Sequence, residues 1–151
     1  MTGFNHAAIG AVIGATVNPY MAIPAAFVSH FVADALPHFG IPNLNDRKKP
    51  RFIWLFLTVL KFDVVGLFAL TVWLVMKGDW IVLLSALAAF SPDFAWVYRY
   101  IVTEKWGKLP PQTRNRFNDF HVRIQRFETP WGYLIEAPLA VALVVLIGRL
   151  V

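Results

Sequence analysis

The chain has 151 residues, of which 58% are apolar and 15% are charged, and its mean hydropathy is +0.56. A soluble domain has about 45–50% apolar and about 25% charged residues, so the composition argues against a soluble protein and predicts a single integral membrane domain over residues 1–151. The chain has no cysteine, which excludes disulfides and thiolate catalysis. Its net charge of +5 fits basic cytoplasmic loops better than a nucleic-acid partner.

The first two apolar segments predict a short helical hairpin. The first covers Phe4–Val17 and ends at the sequence "VNPY", because Asn-Pro disfavours continuation of a helix. The second covers Pro19–Leu36. Gly10 and Gly14 have the spacing that permits close approach of two membrane helices. Both segments are short for a membrane span, so the sequence leaves open whether this hairpin crosses the membrane.

Three longer apolar segments follow, at Phe52–Met76, Trp80–Val102 and Pro130–Val151. Segments of about 20 apolar residues are typical of transmembrane helices. Together with the hairpin they predict an all-α, polytopic membrane bundle of about five apolar helices. The sizeable polar region between them, residues 103–129, predicts one additional amphipathic helix at the interface.

The distribution of lysine and arginine predicts the orientation. Basic residues concentrate in the loop Asn43–Arg51 and in residues 103–129, whereas the turn Lys77–Asp79 has a single lysine. By the positive-inside rule both basic regions are cytoplasmic. The N-terminus is then also cytoplasmic and the C-terminus lies on the far side, in what we predict to be a bacterial inner (plasma) membrane.

Ionisable residues within the apolar segments predict a polar cavity open to the cytoplasm. His6, Asp93 and Glu136 fall in the cytoplasmic halves of their segments, and Asp63 lies roughly 17 Å along its own. An acid in hydrocarbon costs about 2.5–3.5 kcal/mol on insertion scales, so several at similar depth indicate a shared site. For Asp63 we expect a structural or proton-handling role.

The sequence "FVSHFVADALPHFG" places His30, Asp34 and His38 four residues apart. Residues i and i+4 share a helix face, so His30 and Asp34 can coordinate one ion, and a turn at Pro37 would let His38 join them. His6, Asp93 and Glu136 from neighbouring helices would complete four to six ligands. The competing interpretation is a set of interfacial side chains that contact lipid headgroups.

Residues 114–132 predict a basic amphipathic helix. Phe117, Phe120, Ile124 and Phe127 form an apolar stripe, and the partner is an anionic membrane surface contacted by Arg114, Arg116, Arg123 and Arg126. His121 lies beside the stripe. It would enter the cavity mouth as a ligand or as a general acid or base, or else remain an exposed histidine on a lipid-facing helix.

Three motifs carry a resemblance to a known group: "NHAAIG" (Asn5–Gly10), "SHFVADALPH" (Ser29–His38) and "SPD" (Ser91–Asp93). They are similar to those of the small bacterial membrane-bound metal-dependent hydrolases, over about the first 95 residues. The resemblance implies a zinc-type site. The metal ligands that it implies are His6, His30, Asp34, His38 and Asp93.

The resulting hypothesis is a membrane-embedded hydrolase that uses a divalent metal, zinc before manganese or magnesium, on a lipid or lipid-linked phosphoester near the cytoplasmic face. Glu136 or His121 would carry the proton, and Arg99, Arg123 or Arg126 would bind phosphate. The alternatives are a non-enzymatic ion- or proton-binding transporter-like protein and a structural or assembly subunit. The sequence gives no oligomeric state.

Overall fold

The computed structural model describes residues 1–41, 49–95 and 116–151. The described residues form six α-helices with almost no sheet, which confirms the all-α prediction. The elements in chain order are α1 (Gly3–Thr16), α2 (Pro19–Asp34), β1 (His38–Phe39), α3 (Pro50–Lys77), α4 (Trp80–Phe90), α5 (Arg116–Ile124), a 3₁₀ turn (Gln125–Phe127), β2 (Glu128–Thr129) and α6 (Tyr133–Leu150).

The predicted hairpin forms as α1 and α2, with only Val17 and Asn18 between them. The Asn18 side chain accepts a hydrogen bond from the backbone N–H of Tyr20 at 3.0 Å, which caps the start of α2. Pro19 occupies the first helical position, where no N–H is needed. The Asn-Pro pair thus ends one helix and begins the next.

Small residues let α1 lie against α4. Ala7, Ala8 and Ala11 are almost fully buried. A Cβ placed on Gly10 would lie 2.5 Å from the carbonyl oxygen of Ser85 and 2.6 Å from the Cβ of Ala89. Only a glycine fits there, which confirms the close helix approach expected from the glycine spacing.

Two helices, α3 with 28 residues and α6 with 18, are long and apolar enough to cross a membrane. Their most apolar 18-residue windows are only 6% and 17% buried, so these helices present hydrocarbon outward. The prediction of about five such helices is wrong for the described residues. Helices α1, α2 and α4 have only 14, 16 and 11 residues, fewer than the roughly 20 that a span requires.

A short parallel pairing of β1 with β2 joins the end of α2 to the segment before α6. His38 pairs with Glu128 and Phe39 with Thr129. The backbone N–H of Phe39 also donates to Glu136 Oε1 on α6 at 2.6 Å. The chain after α2 is therefore held against the start of α6.

Part of the predicted amphipathic helix forms as α5, and its aromatic residues dock it on α2. The prediction of one helix as far as Gly132 is wrong, because the chain tightens into the 3₁₀ turn after Ile124 and then pairs with β1 through β2. The ring of Phe31 lies 6.0 Å from that of Phe117 and 5.5 Å from that of Phe120, measured between centroids. Part of the apolar stripe thus packs against α2, although Phe127 remains exposed. Arg99, Arg114 and most of the basic loops lie outside the described residues, and the predicted orientation stays a prediction.

Candidate metal centre

Three buried histidines from three helices meet around the carboxylate of Asp34. His30 and Asp34 are one turn apart near the end of α2, as their spacing predicted. His6 comes from the first turns of α1, and His121 comes from α5. All four are at most 5% exposed, so His121 is not the exposed histidine of the competing interpretation.

Three ligand-type atoms form a nearly regular triangle, which we call the ligand triangle. His30 Nε2 lies 3.1 Å from His121 Nε2, His121 Nε2 lies 2.9 Å from Asp34 Oδ2, and Asp34 Oδ2 lies 3.3 Å from His30 Nε2. Ligand atoms at 2.0–2.1 Å from a tetrahedral zinc ion are about 3.3 Å apart. The three atoms are therefore already arranged as one face of such a coordination shell.

The protonation of His30 leaves its inner nitrogen free to bind a cation. His30 Nδ1 lies 2.9 Å from the carbonyl oxygen of Ala89, which only accepts hydrogen bonds. In the neutral ring the proton is therefore on Nδ1, and Nε2 presents a lone pair to the triangle. Metal-binding histidines commonly have this arrangement, with the outer nitrogen donating to a backbone carbonyl.

Two further side chains border the triangle. His6 stacks on His30 with ring centroids 3.9 Å apart, and its Nε2 lies 3.1 Å from Asp34 Oδ1, the carboxylate oxygen outside the triangle. Asp93 Oδ1 lies 3.9 Å from His30 Nε2, and the Asp93 side chain is 19% exposed. Two overlapping groups, His6/His30/Asp34 and His30/Asp93/His121, thus have the proximity needed to hold a metal ion.

The charges around the centre suit cation binding. Burial lowers the pKa of His6 to about 3, which keeps its ring neutral. Burial alone would raise the pKa of Asp34, but the contacts of its carboxylate with the imidazoles of His121, His30 and His6 outweigh burial and hold that pKa well below its usual range. Burial raises the pKa of Asp93 to about 6. Neutral imidazole and ionised carboxylate are the forms that coordinate metals.

Two contacts of Asp34 were not anticipated from the sequence. Gln125 Nε2 donates to Asp34 Oδ2 at 3.1 Å, and the amine of Met1 contacts Asp34 Oδ1. Gln125 follows His121 by four residues, the same spacing that links His30 to Asp34. That repeated spacing was the available signal for Gln125, whereas no sequence pattern indicated the Met1 contact.

Glu136, a predicted proton carrier, is 3% exposed and binds backbone and amide groups. Its Oε1 accepts from the Phe39 N–H at 2.6 Å, and its Oε2 accepts from the Thr2 N–H at 2.8 Å and from the Asn5 side-chain amide at 3.2 Å. These bonds join α1, β1 and α6. Because both of its oxygens accept hydrogen bonds, Glu136 stabilises the packing of these three elements.

Asp63 caps α1 from the middle of α3. Its two carboxylate oxygens accept from the Gly3 N–H at 3.1 Å and the Phe4 N–H at 2.6 Å, whereas Thr2, at the cap position, makes no side-chain cap bond. The first N–H groups of a helix have no partner within it, so this carboxylate satisfies two of them. The observed contacts fit the structural role considered for Asp63.

We expect Asp63→Ala to lower the free energy of unfolding by about 0.5–2 kcal/mol, the usual cost of losing an N-terminal cap. Thermal unfolding of the detergent-solubilised protein measures the change. Lys61→Ala, an exposed site on the same helix, is the matched control. A loss of bound metal without loss of stability would contradict the capping role.

His38, a predicted metal ligand, lies outside the ligand triangle. Helix α2 ends at Asp34, and the chain then turns through Leu36 and Pro37 into β1. His38 Nδ1 lies 2.7 Å from the carbonyl oxygen of Leu36, and Nε2 lies 4.0 Å from Glu128 Oε1. The turn thus brings His38 to Glu128.

Comparison of the chain with protein-family models, with functionally curated proteins and with solved structures finds no match. The resemblance to membrane-bound metal-dependent hydrolases therefore stays a prediction.

Proposed function

We propose that the protein is a membrane-embedded, metal-dependent hydrolase that acts on a lipid or lipid-linked phosphoester. The observation that carries the proposal is the ligand triangle, whose edges of 2.9–3.3 Å match one face of a tetrahedral zinc site. A divalent ion there would polarise a phosphoryl oxygen and make a bound water more acidic. Zinc is the favoured ion because the donors are two imidazoles and a carboxylate.

The surrounding residues have distinct roles in this proposal. His30, His121 and Asp34 hold the ion, and His6 fixes the second oxygen of Asp34, as outer partners of metal ligands do. Asp93, at the partly exposed edge, supplies a fourth ligand or receives a proton from an attacking water. Of the two roles that the sequence suggested for His121, ligand and proton carrier, the proposal assigns it that of ligand.

The membrane context supports the substrate class. The two helices that are long enough to cross a bilayer flank the bundle that contains the centre, and their outward faces are apolar. Arg116, Arg123 and Arg126 on and after α5 lie on the segment that also supplies His121. Arginine binds phosphate through paired N–H groups, so these residues would attract an anionic headgroup toward the centre.

A non-enzymatic, structural metal site is the second candidate. The observation that favours it is the burial of the three triangle residues, each at most 5% exposed, because structural zinc sites are closed whereas catalytic ones keep an open position. The exposed fraction of Asp93 favours the catalytic alternative. Turnover is therefore the measurement that separates the two.

The test uses the full chain purified in detergent, with zinc content measured by mass spectrometry and phosphate release measured on phosphatidic acid and polyprenyl diphosphate. We expect about one tightly bound zinc per chain and turnover that chelation abolishes and zinc restores. His30→Ala should lose both, whereas Asp79→Asn, at the exposed cap of α4, should keep both. Equal zinc content in wild type and His30→Ala would refute the proposal, and metal without turnover would favour the structural site.

A further inference from the structure

Two polar rows lie side by side where the end of α2 meets α5 and its continuation. One row consists of His30, Asp34 and His38, and the other of His121, Gln125 and Glu128. The cross-contacts are His30 Nε2 to His121 Nε2 at 3.1 Å, Asp34 Oδ2 to Gln125 Nε2 at 3.1 Å and His38 Nε2 to Glu128 Oε1 at 4.0 Å. The first contact is an edge of the ligand triangle, and the second joins Gln125 to its Asp34 corner. The third contact involves no atom of the triangle, and we call it the outer pair.

The outer pair presents a buried nitrogen lone pair to a carboxylate. His38 is 1% exposed, and the contact of its Nδ1 with the Leu36 carbonyl places the proton of the neutral ring on that nitrogen. Nε2 is then an acceptor, and it has no hydrogen-bond partner among the residues that the structure describes. A buried acceptor without a donor is costly, so a ligand at this position would stabilise the arrangement.

The distance within the outer pair fits a shared cation. Two ligand atoms at about 2.0–2.2 Å from one ion are separated by about 3.3 Å at a tetrahedral angle and by about 4.2 Å when they lie opposite each other. The observed separation of 4.0 Å lies between these two values, so the partly exposed Glu128 side chain would move inward by about 0.7 Å to give a tetrahedral pair. The backbone carbonyl on Nδ1 is also the outer partner typical of a metal-binding histidine.

Two glycines make room for the outer pair. A Cβ on Gly40 would lie 2.6 Å from the carboxyl carbon of Glu128, and one on Gly132 would lie 2.0 Å from the carbonyl carbon of His38. Any larger residue at either position would displace one member of the pair. The Glu128 side chain is therefore packed against Gly40 and the His38 backbone against Gly132, in addition to the pairing of β1 with β2.

We propose that His38 Nε2 and Glu128 Oε1 form a second divalent-cation site, distinct from the ligand triangle. The protein supplies two ligands, and water or an oxygen of a bound phosphoester completes the shell. Zinc or manganese suits one imidazole and one carboxylate. With fewer protein ligands, this site binds its ion more weakly than the ligand triangle does. It does not depend on the proposed activity, because neither residue belongs to the triangle.

The test is a metal-binding titration of the full chain in detergent, first stripped with a chelator and then equilibrated at defined free zinc concentrations. We expect two zinc ions per chain in two affinity classes. Glu128→Gln, which conserves size and alters a side chain that is 20% exposed, should lose the weaker class and keep the tighter one. Asp34→Asn should do the opposite, and Asp79→Asn should keep both.

Each outcome decides the inference. A single class in the wild type, or identical binding by the wild type and Glu128→Gln, would overturn the second site while leaving the triangle intact. Loss of the tighter class in Glu128→Gln would also overturn it, because the pair would then belong to the first site. His38→Gln serves as the second variant, and its circular dichroism must match that of the wild type before its metal content is compared.

Discussion

We expect Asp34→Asn to weaken tight zinc binding by more than about 100-fold. Asp34 contacts every other member of the centre, and its Oδ2 forms two edges of the ligand triangle. Loss of an outer partner of a metal ligand costs about 10–100-fold in affinity, so loss of the charged ligand itself should exceed that range. Zinc competition with a chromophoric chelator measures the affinity of the purified variant.

The size of the asparagine side chain makes this a test of charge and not of packing. Asparagine fills the same volume and keeps one oxygen, so helix content and elution volume should match those of the wild type. Asp79→Asn applies the same change to an exposed aspartate and should leave zinc affinity unchanged. If Asp34→Asn retained wild-type zinc affinity, the ligand triangle would not be the metal centre.

The second large effect is expected from Gly132→Ala, which should destabilise the fold by about 3 kcal/mol, the upper end of the usual cost of overpacking. A Cβ at this position would lie 2.0 Å from the carbonyl carbon of His38 and 2.2 Å from the backbone nitrogen of Phe39. Since both contacts are backbone, no rotamer change relieves them. The β1 segment must move, and the Phe39 N–H bond to Glu136 would lengthen or break.

Gly148→Ala, in the last turn of α6, is the matched control. Nothing lies within 4 Å of a Cβ at Gly148, and alanine favours a helix over glycine by about 1 kcal/mol. The unfolding temperature should therefore fall for Gly132→Ala and should stay level or rise for Gly148→Ala. Equal unfolding temperatures for the two variants would show that β1 does not pack against Gly132 in the folded protein.

Local patterns in the sequence predicted the first three helices well. Apolar runs separated by Asn-Pro and by Lys-Gly-Asp located the boundaries of α1, α2 and α3 to within a few residues. Apolar content alone, however, does not distinguish a span from a short helix packed inside a bundle. Alanine-rich α1 counts as apolar in either setting, and its close packing against α4 depends on contacts far apart in the chain.

The same limit applies to the candidate site. The i, i+4 spacing places His30 and Asp34 on one face because both lie within α2, and that prediction needs no tertiary information. His38 follows the end of the helix, so its position depends on the turn and on pairing with Glu128, 90 residues later. Helical spacing therefore could not predict the position of His38.

The buried acids show a different gap between sequence and structure. An acid in an apolar segment signals that some partner exists, but it does not identify the partner. For Asp63 and Glu136 the partners are mainly backbone N–H groups, which every non-proline residue has and which leave no trace in the sequence. The sequence therefore singled out these two acids as polar groups within apolar segments, but their contacts required the fold.

The hydrogen bonds between Asp63 and the first turn of α1 couple the candidate metal centre to one of the two described helices that are long enough to cross a membrane. Asp63 lies about 20 Å from either end of α3, and His6 follows the two capped residues within one helical turn. If α3 slid along its axis relative to the bundle, both amide bonds would be lost. If α3 crosses a bilayer, its position along the membrane normal sets that of the candidate centre, and a shift or tilt of α3 would carry His6 with it.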